Sequence, residues 1–265
     1  MNPAKVFVKN LDAATKNLNL RLESFRETPN VKNVHDIRTS IRRVEAALKL
    51  LPKNLQKKSK VTKYLIQAKS LFRATSKIRD IDIIGDTLLK FDPIPKVRDL
   101  LARNQKKRAR ILPNAMGLAS ALSKITPPHF ASTEISRSRL AKRRKKVEKQ
   151  FEDQLNLLVD KMVSNPTPDQ LHKFRKKCKM LRYTLEFNSK DNKRIGKILV
   201  EIQRSLGTVT DSYTTIRSVS GSLTGGTARP IIDELNATKD AGYHSFLQVL
   251  TRKLKPLLQN KNQMI

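Results

Sequence analysis

Apolar residues recur three and four positions apart along nearly every long segment of this 265-residue chain. That spacing places them on one side of an α-helix, whereas the strict alternation expected of β-strands is scarce. Proline and glycine residues interrupt the pattern, and such residues mark turns. The breaks fall at Pro29-Asn30, Pro52-Lys53, Asp92-Pro93 with Pro95, Pro127-Pro128, Pro166 to Pro168, and Gly225-Gly226. The pattern predicts an all-α fold of about eight helices.

The two halves of the chain contain similar segments in the same order. VHDIRTSIRRVEAALKLL (Val34 to Leu51) and LHKFRKKCKMLRYTLEF (Leu171 to Phe187) both have an apolar residue, His, any residue, an apolar residue and Arg. In both, a basic residue follows four positions after that Arg. Each segment precedes a second helix with a related element, Ser76 to Asp82 in the first half and Leu206 to Asp211 in the second. We infer an internal duplication, in which two four-helix units share one core or pack face to face.

The charge of the chain is strongly one-sided. Lys and Arg number 55 against 23 Asp and Glu, which gives a formal net charge of +32. Such self-repulsion opposes a compact fold and is typical of proteins that bind a polyanion: nucleic acid, an anionic membrane surface or a phosphate polymer. Aromatic residues make up only 5% of the chain and Trp is absent, which disfavours proteins that stack the bases of single strands.

The chain carries few signs of secretion or membrane insertion. Its one cysteine, Cys178, cannot form an intrachain disulfide. The start, MNPAKVFVKN, has no signal-peptide pattern, and no segment approaches the roughly 18 apolar residues that suggest a membrane span. We therefore expect a soluble, cytoplasmic protein.

Basic residues form a stripe beside the apolar stripe of each repeated helix when the segments are placed at about 100° per residue. In the first, the apolar stripe is Ile37, Ile41, Val44 and Leu48, and the first basic stripe is His35, Arg38, Arg42 and Lys49. In the second, the apolar stripe is Phe174, Cys178, Leu181 and Leu185, and the second basic stripe is His172, Arg175, Lys179 and Arg182.

Guanidinium groups one turn apart beside a helix–helix groove can bind phosphate oxygens repeatedly and bidentately. We also predict helix starts at Asn33 and Asp169, which would put each His in a first turn, where backbone N–H groups favour anions.

Two further segments carry dense positive charge. In Arg137 to Lys146 (RSRLAKRRKK), we expect Arg139, Arg143 and Lys146 to flank a core stripe of Val147, Phe151, Leu155 and Leu158. Arg103, Lys107 and Arg110 form a similar row. A charge run alone is weak evidence, because a nuclear-targeting or RNA-binding patch has the same composition.

Candidate catalytic groups are few. Asp80, Asp82 and Asp211 follow basic helices, and we interpret them as partners of nearby arginines such as Arg79 or as turn caps. The sequence has no zinc-ligand spacing, no phosphate-binding Gly-rich loop, and no Ser/His/Asp or Cys/His arrangement. We expect no enzymatic activity, no metal and no cofactor.

These segments together resemble the conserved histidine α-helical domain (CHAD) family. The matching residues are HDIRTSIRR from His35, KIRDIDI from Lys77, LHKFRKKCKMLRYTLEF from Leu171 and LGTVTD from Leu206. The resemblance implies a single domain over residues 1–265 with pseudo-repeats 1–126 and 130–265. It implies two pseudo-symmetric four-helix bundles around a basic central cavity that binds inorganic polyphosphate, and association with polyphosphate granules.

Carried over by position, the resemblance implies that His35, Arg38, Arg42, His172, Arg175, Lys179 and Arg182 line the cavity. The matched segments add Arg43, Arg79, Lys176 and Tyr183. The flanking basic residues Lys49, Lys107, Arg110, Arg139, Arg143 and Lys146 complete the predicted set. Glu45 departs from the pattern, because the family has an Arg there, as at Arg182. We expect Glu45 to pair with Arg38 or Arg42, or to repel the ligand.

The sequence thus predicts a non-enzymatic binder of inorganic polyphosphate. The alternative is a protein that binds the backbone of RNA or DNA non-specifically through the same helices, because charge alone does not distinguish one polyanion from another.

Overall fold

A computed structural model describes residues 2–164, 166–187, 193–223 and 225–263, and among them no residue lies in a β-strand. The predicted all-α fold is confirmed. The α-helices of these residues are α1 (Pro3–Glu27), α2 (Val31–Leu50), α3 (Lys53–Gln56), α4 (Ser59–Leu88), α5 (Pro95–Ser123), α6 (Arg137–Val163), α7 (Pro168–Glu186), α8 (Lys193–Ser220), α9 (Ala228–Val249) and α10 (Lys255–Gln263). A π-helical turn, Leu250–Leu254, joins α9 to α10.

Most helix ends coincide with the proline and glycine breaks, but the ends of α3 and α7 have no such residue beside them. At the last junction, Pro256 is the second residue of α10, two positions after the last residue of the π-helical turn. Proline lacks an N–H group and its ring clashes with the carbonyl group four residues earlier, so an α-helical register cannot continue unchanged into it. The wider π-helical turn gives the chain a way to pass this position without ending the helix.

Both basic helices begin earlier than the sequence predicted. The Asn30 side chain caps α2 by accepting a hydrogen bond from the Asn33 backbone N–H at 2.8 Å. The side-chain amide of Asn33 donates to the carbonyl oxygens of Ser24 and Thr28, at the end of α1. Because Asn33 serves the preceding helix, His35 lies past the first turn of α2.

The start of α7 is set by a capping box. The Thr167 hydroxyl accepts from the Gln170 N–H at 3.3 Å, and the Gln170 side chain accepts from the Thr167 N–H at 2.7 Å. Pro168 occupies the first helical position, where its missing N–H does no harm. His172 is therefore the fifth residue of α7, as His35 is of α2, and the predicted starts at Asn33 and Asp169 are wrong by two and one residues.

The chain divides into two compact units. The first comprises Met1–Asp80, Lys107–Lys149 and Glu186–Asn188, and the second comprises Ile81–Lys106, Gln150–Leu185 and Ser189–Ile265. Within the first unit α1 packs against α2, and within the second α8 packs against α9. The chain passes between the units inside α4, α5 and α6 and again at the end of α7. The proposed pseudo-repeats 1–126 and 130–265 stay a prediction.

The predicted core stripes of α2 and α7 are buried. On α2, Ile37, Ile41, Val44 and Leu48 are at most 2% exposed, and on α7, Phe174, Cys178 and Leu181 are fully buried. Burial raises the pKa of the Cys178 thiol, because desolvation disfavours the thiolate.

On α6 the prediction fails at one position. Leu158 is partly exposed, and Val159 takes its place in the stripe after Val147, Phe151 and Leu155. Three successive steps of four residues keep these side chains on one face, and the last step was predicted as three.

None of the described helices is long and apolar enough to cross a membrane.

Candidate functional site

Arg38 of α2 is held by several contacts with α4. One of its terminal nitrogens, Nη1, donates to the Phe72 carbonyl oxygen at 2.7 Å and to the Thr75 and Ser76 hydroxyl oxygens at 3.1 Å each. All three acceptors belong to α4 and are neutral, so these contacts fix the guanidinium without cancelling its charge. Burial, and then the neighbouring charge of Arg42, lower the pKa of Arg38 to about 10. The group stays protonated at neutral pH.

Arg38 and Arg42 share one aromatic ring. The guanidinium carbon of Arg38 lies 4.1 Å from the centroid of the Phe72 ring, and that of Arg42 lies 4.7 Å from it. Both distances are within the range of a cation–π interaction, in which the negative face of the ring attracts a cation. Phe72 therefore holds two arginines of the first basic stripe at one place.

The other charged residues of α2 have different surroundings. His35 is exposed and lies beside Thr39, with 3.5 Å between its Nε2 and the hydroxyl oxygen. Arg43 forms an ion pair with Glu186, with 3.0 Å between Nε and Oε2. Glu45 lies 3.6 Å from the Lys69 ammonium of α4, a partner that the sequence did not predict.

Two arginines in the charge run of α6 make contacts within the first unit. Arg143 donates from Nε to the Lys49 carbonyl oxygen at 3.1 Å, so it caps the carboxyl end of α2. Arg144, absent from the predicted set, donates to the Phe187 carbonyl oxygen at 2.9 Å and lies over the Phe7 ring. Burial lowers the pKa of both guanidinium groups. Part of this run thus supports the first unit internally.

Several predicted residues of the first unit face solvent. Lys107, Arg110, Arg139 and Lys146 are exposed. Arg79 is half-buried and close enough to Arg38 for its charge to lower the Arg38 pKa, while the charge of Asp80 raises it. Asp80 therefore acts on Arg38, beyond the predicted pairing with Arg79.

In the second unit, Arg175 of α7 is seated against α8. It donates from Nη1 to the Thr210 hydroxyl oxygen at 2.9 Å. A Cβ atom built at Gly207 would lie 3.2 Å from the other terminal nitrogen of Arg175, closer than ordinary van der Waals contact. Gly207 therefore leaves the room that the guanidinium occupies.

Arg182 of α7 also has a neutral partner on α8. Its Nε donates to the Gln203 side-chain oxygen at 3.1 Å, and its guanidinium carbon lies 4.3 Å from the Tyr183 ring centroid. Tyr183 is only 3% exposed, so its ring offers a ligand little surface. Lys179 is half-buried, and His172 and Lys176 are exposed.

The sequence marked the elements Ser76 to Asp82 and Leu206 to Asp211, but it did not assign their neutral residues, or Phe72, Thr75 and Gln203, to the arginines. Phe72, Thr75, Ser76, Gly207 and Gln203 lie on α4 and α8, apart from the charge runs on which the prediction was based. Their only sequence signal was position, because they stand in the helix that follows each basic stripe, just before or within the acidic elements.

No three His, Cys, Asp or Glu side chains in the described parts of the chain gather as a metal site.

Comparisons with known proteins identify one family and a shared fold. A family model described as the CHAD domain matches residues 9–219. The crystal structure of the CHAD domain from the plant Ricinus communis superposes with a TM-score of 0.61 at 17% identity, covering 94% of this chain and 91% of that one. PptA from Streptomyces chartreusis superposes with a TM-score of 0.59 at 12% identity, covering 94% of this chain and 99% of that one. A comparison with curated protein sequences found no match.

Proposed function

The chain belongs to the CHAD domain family, and from this membership we propose that it binds inorganic polyphosphate through the basic stripes of α2 and α7 and catalyses no reaction. Polyphosphate binding is the general property that the family implies for this chain. The residues that bind are the finer part of the proposal.

The observation that carries the proposal is the seat of Arg38. A guanidinium group loses hydration when it is partly buried, and proteins normally offset that loss with a carboxylate. Arg38 has three neutral hydrogen-bond acceptors and a second arginine on the same ring, and the charge of Arg42 lowers its pKa more than the Asp80 carboxylate raises it. The charged form of Arg38 is therefore disfavoured when no ligand is bound. A bound anion would stabilise that charge, so the arrangement is suited to anion binding.

The second basic stripe supports the same conclusion. Arg175 and Arg182 are oriented by neutral partners on α8, Thr210 and Gln203 respectively. Both side chains are therefore ordered before a ligand arrives, which reduces the conformational entropy lost on binding. Each unit supplies oriented guanidinium groups by itself.

The direct test is a titration of the full chain with polyphosphate at several salt concentrations. By analogy with nucleic acids, each contact to the polymer releases counterions, so log affinity should fall linearly with log salt. Binding that barely changes with salt would contradict the proposal. RNA of matched charge is titrated in parallel, and stronger binding of RNA at every salt concentration would favour the nucleic-acid alternative.

Paired substitutions test the residues. Arg38→Ala with Arg42→Ala, and Arg175→Ala with Arg182→Ala, should each weaken binding by tenfold or more, because each removes two charge-assisted contacts of about 1.5 kcal/mol or more apiece. The matched control is Lys57→Ala with Lys63→Ala, which removes two exposed charges outside both stripes. An equal loss in the control would indicate diffuse surface charge. Absence of catalysis is tested by incubating the protein with polyphosphate and Mg²⁺ and measuring phosphate release.

A further inference from the structure

Phe72 is an aromatic residue of α4 that contacts two arginines of α2. It lies on α4, half-buried, and carries the guanidinium groups of Arg38 and Arg42 at 4.1 and 4.7 Å from its ring centroid. Its carbonyl oxygen also accepts a hydrogen bond from Arg38 at 2.7 Å. The same residue therefore fixes Arg38 through its backbone and both arginines through its ring.

The two arginines would otherwise separate. Like charges four residues apart on a helix repel each other, and the charge of Arg42 is one of the causes that lower the Arg38 pKa. The face of an aromatic ring attracts cations and so offsets part of this repulsion. Long arginine side chains also have many rotamers, and stacking on a fixed ring restricts them. Phe72 thus keeps two guanidinium groups close together, although solvation and mutual repulsion favour their separation.

We propose that Phe72 is a positioning residue that makes the first basic stripe selective for condensed phosphate over nucleic acid. This inference rests on the proposed function. In a condensed phosphate chain, neighbouring charged groups share a bridging oxygen, whereas in a nucleic acid a sugar separates successive phosphates. Two guanidinium groups gathered on one ring match the denser of these charge arrays. The ring is also occupied by arginines, so it is not offered to a base for stacking.

The corresponding position of α8 emphasises the difference between the two helices. Buried residues of α4 at 64, 68, 71, 75 and 78 have the same spacing as those of α8 at 195, 199, 202, 206 and 209, and in this register Gln203 stands where α4 has Phe72. Gln203 accepts a hydrogen bond from a single arginine, Arg182. Gln203 thus orients one arginine at the position where Phe72 contacts two.

The experiment compares Phe72→Leu, Phe72→Met and Phe72→Tyr with the wild-type chain, by titration with polyphosphate and with single-stranded RNA. Leucine and methionine keep an apolar side chain but remove the ring, whereas tyrosine keeps the ring. Loss of a cation–π contact of about 1 kcal/mol should weaken polyphosphate binding about fivefold in the Leu and Met variants, with tyrosine restoring it. RNA binding should change less than twofold, so the ratio of the two affinities should fall.

Two controls distinguish positioning from packing. Phe91→Leu removes another ring that carries a cation, Lys90, outside both basic stripes, and it should leave both affinities unchanged. Arg42→Ala should weaken polyphosphate binding more in the wild-type chain than in Phe72→Leu, because the ring is what holds Arg42 in place. Melting curves by circular dichroism confirm that each variant is folded.

The outcomes are separable. If wild type binds polyphosphate and depends on Arg38 and Arg42, but the Leu and Met variants keep its affinity and selectivity, the role of Phe72 is refuted and the proposed function stands. If these variants lose RNA binding more than polyphosphate binding, Phe72 is a base-stacking platform and the inference is overturned. If wild type does not bind polyphosphate, the proposed function itself fails.

Discussion

The Glu45 carboxylate of α2 lies 3.6 Å from the Lys69 ammonium of α4, in an ion pair between two partly exposed side chains. The sequence predicted that Glu45 would pair with Arg38 or Arg42 or would repel the ligand. Its observed partner is a lysine that no motif had marked, while Arg38 and Arg42 lie on the Phe72 ring. Lys69 is thus a further cation beside the first basic stripe, partly neutralised by Glu45.

Glu45→Gln should tighten polyphosphate binding, because it removes a negative charge and releases Lys69. Glu45→Arg should tighten it further. Both gains should be modest, about 1 kcal/mol or less, because partly exposed charges are screened. The measurement is a titration at matched salt. Glu201→Gln, which breaks the exposed pair between Glu201 and Lys253, is the control for net charge. Weaker binding by a folded Glu45→Gln variant would mean that the pair with Lys69 organises the stripe.

Arg38→Met should separate stability from binding. The lowered pKa of Arg38 shows that its charged form is disfavoured by burial in the folded state. Methionine can cover the Phe72 ring, and the Thr75 and Ser76 hydroxyls keep their hydrogen bonds to carbonyl oxygens of α4. The free energy of unfolding at pH 7 should therefore be unchanged or higher by about 1 kcal/mol, while polyphosphate binding falls. Urea denaturation and titration measure the two quantities. A large loss of stability would show that Arg38 is chiefly structural.

The lowered pKa of Arg38 also predicts how the stability of the protein changes in alkaline solution. Because the pKa of Arg38 is lowered from its ordinary value to about 10 in the folded state, the unfolded chain binds more protons than the folded chain from about pH 10 up to that ordinary value. The unfavourable contribution of Arg38 is therefore fully present below pH 10 and is relieved as the pH rises through it. The stability difference between wild type and Arg38→Met should accordingly shrink above pH 10.

Gly207→Ala should weaken binding while stabilising the helix. Alanine favours a helix interior over glycine by up to about 1 kcal/mol, but its Cβ would lie 3.2 Å from the Arg175 terminal nitrogen. The flexible arginine can move, and in moving it should lose its hydrogen bond to Thr210. Gly196→Ala is the matched control on α8, because a Cβ there meets nothing within 4 Å. It should raise the melting temperature without changing polyphosphate affinity. Equal affinities in the two variants would contradict a binding role for the position of Arg175.

Acidification should tighten binding through His35 and His172. A free histidine has a pKa of about 6.5, and a bound polyanion favours the imidazolium form. The pKa in the complex should therefore exceed that in the free protein, protons are taken up on binding, and affinity rises as the pH falls through this range. His35→Gln with His172→Gln should lose this dependence and keep most of its binding at pH 8. His244→Gln, a change at an exposed histidine of α9, should retain it. A double variant with the wild-type pH profile would leave both histidines with a structural role only.

The sequence by itself determined the fold class, the family, most of the helix breaks and the core stripes of α2 and α7. These properties depend on local periodicity and on the residues that end helices, and both are visible along the chain. The error at Leu158 and the displaced starts of α2 and α7 have the same origin. A one-residue change of helical phase, or an asparagine that caps the preceding helix instead of its own, depends on a neighbour that the local pattern does not show.

Only the tertiary structure decided which charges are held and by what. Arg38, Arg43 and Arg143 look alike in sequence, yet one lies on an aromatic ring of α4, one pairs with Glu186, and one caps α2. The pairing of Glu45 with Lys69 was likewise not visible in the sequence. A long charged side chain can reach partners distant in sequence, and its environment is set by which helix packs beside it. That information lies in packing, which periodicity and charge count do not contain.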